Sequence, residues 1–259
     1  MAECNNGSGQ GKLYVVGTGP GAKKHMTLAA CAALEEADII VGYQTYLDLI
    51  PEFLAGKEVV ASQMMKEVDR SQKALELVAG GKKVAMVSGG DPGIYAMAGL
   101  VFEMAREHEL SIDIEVIPGI AALNACAARL GAPLMHDFCA ISLSDLLTPA
   151  ALIEKRLEAA ASADFVMVIY NPKSKRRTEL IEKAREITLK YRSADTPVGI
   201  VTAATRDNEK VVLSTLDKFT GQEINMQSCV IIGNSKTFAW QDLLVTPRGY
   251  ADKYRLKKD

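Results

Sequence analysis

The chain is poor in cysteine, and the five it has, Cys4, Cys31, Cys126, Cys139 and Cys229, include no pair at CxxC spacing. That scatter offers neither a zinc ligand set nor an iron–sulfur cluster, and no resident metal is expected. Cys31, Cys126 and Cys229 lie in apolar contexts and are expected as reduced core residues, without a disulfide framework. No apolar run is long enough to span a bilayer. The start, Met1–Gln10, lacks the basic and apolar pattern of a signal peptide, so a cytoplasmic protein is expected. Neither sign of charge dominates. Thirty Lys and Arg against 32 Asp and Glu leave a formal net charge of −2, which gives no electrostatic footprint for nucleic acid. No internal repeat is visible.

Glycine loops, by contrast, are prominent. The apolar run Val84–Val87 leads into Ser88-Gly89-Gly90-Asp91-Pro92-Gly93-Ile94-Tyr95. Glycine there permits positive φ or close backbone approach. Asp91, preceding a proline, is held extended. A carboxylate at the carboxyl end of a strand sits where open α/β sheets bind ligands, although Gly, Asp and Pro also make an ordinary turn. A second loop, Gly17-Thr18-Gly19-Pro20-Gly21-Ala22, follows the buried run Lys12–Val16. It nearly matches the dinucleotide fingerprint. Against that reading, Pro20 lacks the N–H a pyrophosphate needs, and the next strand ends in Gly42-Tyr43 rather than in an acid.

Strand-like runs at 13–16, 38–41, 58–61, 84–87 and 112–117 alternate with helical segments at 27–37, 71–79 and 94–107. This rhythm predicts a mostly parallel sheet with helices on both faces. Residues 120–130 read as an Ala-rich helix closed by Gly131. Further strands are expected at 138–143, 165–170, 198–202, 210–214 and 229–232, with charged helices at 149–161 and 174–191. The polar turn between 202 and 210 predicts an antiparallel hairpin. The expected organisation is a tail at 1–11, an α/β domain at 12–122, a second α/β domain at 123–247 and a basic tail at 248–259.

The two loops together resemble those of the tetrapyrrole methylases, S-adenosylmethionine-dependent enzymes of cobalamin and sirohaem synthesis. The likeness covers roughly residues 12 to 245. Gly21–Thr27, Ala37–Tyr46, Pro118–Ala122, Ile141–Pro149 and Ile169–Ser174 are similar to the precorrin-3B C17-methyltransferase branch. The resemblance implies two α/β domains with mixed sheets forming a central trough, a homodimer, and transient hand-off with neighbouring pathway enzymes. It implies methylation of C17 with ring contraction, on precorrin-3B or cobalt-factor III, with cobalt only as part of the substrate. Another C-methyltransferase of the family, acting at C11, at C20 or on uroporphyrinogen III, is the alternative. A non-catalytic nucleotide-binding module is the rival from another class.

Carried over by motif, Pro20 borders the cofactor, and Gly89, Gly90, Asp91, Gly93 and Ile94 form its cradle. Ala121 and Ala122 stand at the adenosyl side, Asn171 follows the strand ending in Tyr170, and Thr202 and Ser228 are placed near the adenine. Methyl transfer from a sulfonium needs near-attack geometry more than acid catalysis. In the precorrin route ring contraction needs proton removal from a C20 hydroxyl, so a general base or a metal-polarised oxygen is expected; His25 and His136 are the candidate bases, and Asp91 and Ser144 are further catalytic candidates. His108 reads as a surface residue. Ser142, Ser144 and Asp145 form a polar stretch at the trough or a helix cap. Tyr95 lines the substrate face or staples a helix start. A polycarboxylated ring favours Lys and Arg on the rim, among them Lys23, Lys24, Arg129, Lys173, Lys175 and Arg206. The run Lys173, Lys175, Arg176 and Arg177 also reads as the solvated start of a helix.

Overall fold

The computed structural model describes residues 11–63 and 65–256. Cys4 and the rest of the expected amino-terminal tail up to residue 10 lie outside the described residues, as do positions 257–259 of the basic tail. The chain divides into two compact units, Met1–Ala122 and Leu123–Asp259.

The first unit holds β1 (Lys12–Gly17), α1 (Leu28–Glu36), β2 (Ile39–Tyr43), α2 (Gln44–Leu47), α3 (Pro51–Leu54), β3 (Glu58–Ser62), α4 (Glu67–Ala79), β4 (Lys83–Ser88), α5 (Ala98–Glu107) and β5 (Asp113–Ile117). The strands lie in the order β3-β2-β4-β1-β5, all parallel. The expected mixed sheet is therefore absent from this unit. Its central strands are apolar at nearly every position because helices cover both faces. Leu13, Val15, Val41 and Met86 pack under α4 and α5, while Tyr14, Val16, Ile40 and Val87 pack under α1. The chain leaves β1 and β4 toward these opposite faces, so their carboxyl ends form a switch point of the kind that binds ligands.

Two helix starts differ from expectation. α4 begins at Glu67 rather than Ser71, with Glu67 and Asp69 in the first turn, where acids complement the helix dipole. α5 begins at Ala98 rather than Ile94, because Tyr95 adopts φ 52° and interrupts helical geometry.

The second unit continues with α6 (Ala122–Leu130), whose first residue closes the first unit, then β6 (Gly131–Ala132), β7 (Phe138–Ser142), α7 (Ala150–Ser162), β8 (Val166–Tyr170), α8 (Glu179–Leu189), β9 (Pro197–Thr202), β10 (Lys210–Thr215), β11 (Ser228–Ile232), β12 (Phe238–Trp240), β13 (Leu243–Val245) and α9 (Tyr250–Lys253). Its main sheet, β10-β9-β11-β8-β7, is mixed: β7 and β8 are parallel and the other pairs antiparallel. The hairpin appears as β9–β10 with Lys210 opposite Thr202. β12, β13 and β6 make a small separate sheet. α7 and α8 cover one face through Ile153, Leu157, Ile181 and Ala184.

On the other face α6 sits directly on β9. A Cβ on Gly199 would stand 2.4 Å from a Leu130 methyl. One turn earlier, Cys126 is buried, and the Cys229 thiol is held well above its usual range by the Cys126 thiol and by burial. Cys31 is free but only partly buried. Among the described residues no helix is long and apolar enough to cross a membrane.

Leu130→Ala should destabilise the second unit by about 2–5 kcal/mol in urea unfolding. Gly199→Ala should also destabilise it, and the two losses together should fall short of their sum, because removing Leu130 makes room for the new methyl. Strict additivity would show that α6 does not rest on Gly199.

Candidate functional site

In the first unit the carboxyl ends of β1, β4 and β5 are clasped by backbone. Gly19 N–H donates to Gly90 O at 3.1 Å and Gly90 N–H donates to Gly19 O at 2.7 Å. Both glycines have positive φ, 75° and 69°. Thr18 donates from its N–H (2.9 Å) and its Oγ1 (3.1 Å) to Ser88 O. A Cβ on Gly17 would meet Gly119 N and Gly90 O, both at 2.7 Å, and one on Gly119 would come within 2.1 Å of Gly90 O. Side chains at Gly17 and Gly119 are thus excluded from the contact between the three loops.

Asp91 closes the clasp. Its Oδ1 accepts from Gly93 N–H at 2.8 Å and its Oδ2 from Gly119 N–H at 3.2 Å. The turn and the ligand-edge readings of Asp91 therefore coincide, since the carboxylate caps its own loop and ties it to the next strand's. Thr27 caps α1 by accepting from Ala30 N–H and donates to Pro118 O at 3.2 Å. Pro20 and Ala121 are buried, whereas Gly89, Gly90, Asp91, Ile94 and Ala122 are part-exposed and Gly93 exposed. Tyr46, which ends the Ala37–Tyr46 segment but is not among the site residues expected from sequence, lies where a Cβ on Gly89 would strike its ring at 2.5 Å.

In the second unit Ser142, Asn171, Thr202 and Ser228 gather at one end of the main sheet, because β7, β8 and β9 end where β11 begins. Asn171, at φ 49°, donates from Nδ2 to Ser142 Oγ at 3.0 Å. Ser142 Oγ also accepts from Ser144 N–H. Thr202 and Ser228 share a buried hydroxyl–hydroxyl bond of 2.7 Å, and Ser228 Oγ accepts from Asn225 N–H. Tyr170 Oη accepts from Leu123 N–H in the first turn of α6.

Arg177 is not the solvated helix residue its sequence context suggests. α8 starts only at Glu179, and Arg177 is mostly covered, donating to Asn171 O at 2.9 Å and standing 3.5 Å from Asp145. Ser174 Oγ holds the preceding turn by accepting from Arg177 N–H.

The candidate bases separate. His25 ends a single 3-10 turn, Lys23–His25, beside the clasp, where a Cβ on Gly19 would lie 2.9 Å from His25 O. His136 stands at the amino end of β7, the opposite end of that strand from Ser142 and Ser144, and its Nδ1 accepts from Asp137 N–H. His108 is exposed at the end of α5. Of the rim candidates, Lys23 pairs with Glu52 at 3.1 Å and Arg129 with Glu209 at 2.8 Å, while Lys24 and Lys175 are exposed.

Asp91→Ala removes two acceptors at once and should lower the stability of the first unit by about 1–3 kcal/mol in denaturant titration. A change below a few tenths would mean that the carboxylate does not hold the clasp.

A family model described as tetrapyrrole (corrin/porphyrin) methylases matches residues 12–220. A cobalt-factor III methyltransferase of Priestia megaterium is 52% identical over 96% of this chain, and the chain spans 47% of that protein's length. A precorrin-3B C(17)-methyltransferase of a Sinorhizobium species is 44% identical, with 93% of this chain and 98% of the relative covered. Among solved structures, that of the methyltransferase CobJ matches with a TM-score of 0.87 and 38% identity, covering 92% of this chain and 100% of that one. With the family model covering most of its length, the chain belongs to the tetrapyrrole methylases.

Proposed function

We propose that the protein transfers a methyl group from S-adenosylmethionine to C17 of precorrin-3B or cobalt-factor III, with ring contraction, in corrin synthesis. The observation that carries the reading is the backbone clasp of Gly17–Pro20, Ser88–Gly93 and Pro118–Ala122 at the switch point of a parallel sheet. The name of the Sinorhizobium relative, 98% of whose length the chain covers, supplies the ring and the carbon.

The residues present fit the cofactor. The Cα of Gly90 faces the backbone of Ile120–Ala122 across a gap that an added methyl would fill, 3.5 Å from Ala122 N and 3.7 Å from Ala121 Cα. Pro20, Gly89, Gly90, Asp91, Gly93, Ile94, Ala121 and Ala122 of the first unit are the residues assigned to hold it. When bound, S-adenosylmethionine supplies an electrophilic methyl on a sulfonium that departs as a neutral sulfide, so the chain need not provide an acid. What the chain provides is position. Asp91 acts on the loops and not on the reacting carbon, because both its oxygens are committed to backbone N–H groups.

With precorrin-3B as the ring, proton removal from the C20 hydroxyl is assigned to His25, the histidine beside the clasp. His136 is set aside, its Nδ1 engaged by Asp137 at the far end of β7. A homodimeric, cytoplasmic enzyme is part of the same reading.

Incubation with methyl-labelled S-adenosylmethionine and each ring separately tests it. One methyl at C17 and a contracted ring, followed by mass and visible spectrum, is the expected product. Binding of S-adenosylhomocysteine without turnover of either ring would move the protein to another branch of its family. His25→Gln should slow contraction by about 10²–10⁴-fold with S-adenosylhomocysteine affinity unchanged. Contraction at the native rate would remove His25 from the mechanism.

A further inference from the structure

A buried cation in the first unit has no role in the site described so far. Arg70 lies in the first turn of α4 and is 6% exposed. Its guanidinium reaches the carboxyl edge of β2 and β3. There Nη1 donates to Ser62 Oγ, and the Ser62 hydroxyl in turn donates to Gly42 O at 3.3 Å. Nη2 has the Met97 sulfur at 3.5 Å, a weak acceptor, and Glu67 at 3.9 Å, a half-exposed carboxylate beyond hydrogen-bond distance. Nε is buried without a partner.

A guanidinium carries five N–H donors, and here one hydroxyl and one thioether answer them. The other covered arginines, Arg177 and Arg192, also leave Nε buried without a hydrogen-bond partner but differ in their other donors. Arg192 donates to the carbonyls of Gly233 and Phe165 and has Asp164 at 3.6 Å, and Arg177 donates to Asn171 O and has Asp145 at 3.5 Å. Among the described residues Arg70 has no carbonyl acceptor. Burial pushes its titration below the ordinary guanidinium value, yet an arginine keeps its proton at neutral pH. A buried charge this poorly partnered is costly, and bracing the end of β3 would need only one neutral donor.

The surroundings point outward to the proposed site. Tyr43 is directly opposite Ser62 in the β2–β3 register, and both are part-exposed. The Tyr43 and Tyr46 rings meet edge to face with centroids 5.4 Å apart. Tyr46 lies against Gly89 of the clasp. Arg70 therefore stands one aromatic layer from the loop assigned to the cofactor.

We propose that Arg70 binds a carboxylate of the tetrapyrrole substrate at the β2–β3 edge and so fixes the ring's orientation. This rests on the reading under "Proposed function" that the substrate is a polycarboxylated ring. A planar fork suits a carboxylate in bidentate geometry, and a lysine would lose that match.

Cobalt-factor III is titrated by its visible spectrum into the wild type, Arg70→Met and Arg70→Lys with S-adenosylhomocysteine present, and S-adenosylhomocysteine binding is measured by calorimetry. Arg70→Met should bind the ring about 10- to 100-fold more weakly, with S-adenosylhomocysteine affinity within about twofold because the clasp is untouched. Arg70→Lys should recover part of the loss. Native ring affinity in Arg70→Met overturns the proposal. Should Arg70→Met not fold, the Arg70 Nε–H resonance of the wild type, assigned by its loss in Arg70→Lys, must shift on ring addition, and an unmoved resonance overturns it equally. A wild type that binds neither ring nor S-adenosylhomocysteine would overturn the functional reading itself, and this inference with it.

Discussion

The close approach of backbone to backbone among Gly17, Gly90 and Gly119 is the constraint on which the functional edge of the first unit depends. β1 and β4 send their chains to opposite faces of the sheet, so their loops would part if nothing held them. A side chain at Gly17 or Gly119 would collide with main-chain atoms of the neighbouring loops, which cannot rotate away as a flexible side chain can. With no Cβ in the way, Gly19 and Gly90 can exchange two hydrogen bonds. Asp91 is then close enough to Gly119 to bridge its own loop to the next. The carboxylate that marks the family motif is in this structure a device for holding the backbone.

The second unit builds its corresponding edge from polar side chains. The chain leaves β8 through Asn171 in the left-handed region, which asparagine tolerates better than most residues. Its amide reaches Ser142 on the neighbouring strand, and Arg177 folds back onto its carbonyl. Thr202 and Ser228 answer each other across β9 and β11, so two hydroxyls are buried with their hydrogen bonds met. One unit thus makes its edge by removing side chains and the other by interlocking them.

The buried charges follow the same division. Arg192 and Arg177 join loops through carbonyls and acids within the second unit. Arg70 is as covered as Arg192 but finds a hydroxyl and a sulfur. Folding alone gives little reason to place a cation there, and a ligand with negative charge supplies one.

Much of the architecture was written locally. The unbroken apolar runs of β1, β2 and β4 announced strands covered on both faces, the glycine loops marked where those strands end, and the polar turn after Thr202 announced the hairpin. These are patterns of a few neighbouring residues, and side-chain periodicity and φ preference suffice to read them. The short strands β6, β12 and β13 span too few residues to show a period. Which loops touch was also beyond local reading. Thr18 meets Ser88 across 70 positions of chain only because β1 and β4 are neighbours in the sheet. The same sheet order and packing sent His136 to the far end of β7, turned Arg177 inward and buried Arg70 beneath Ser62. Local sequence determined the elements and their flexible joints. Strand order and packing, which depend on residues far apart in the chain, decided what those joints bring together.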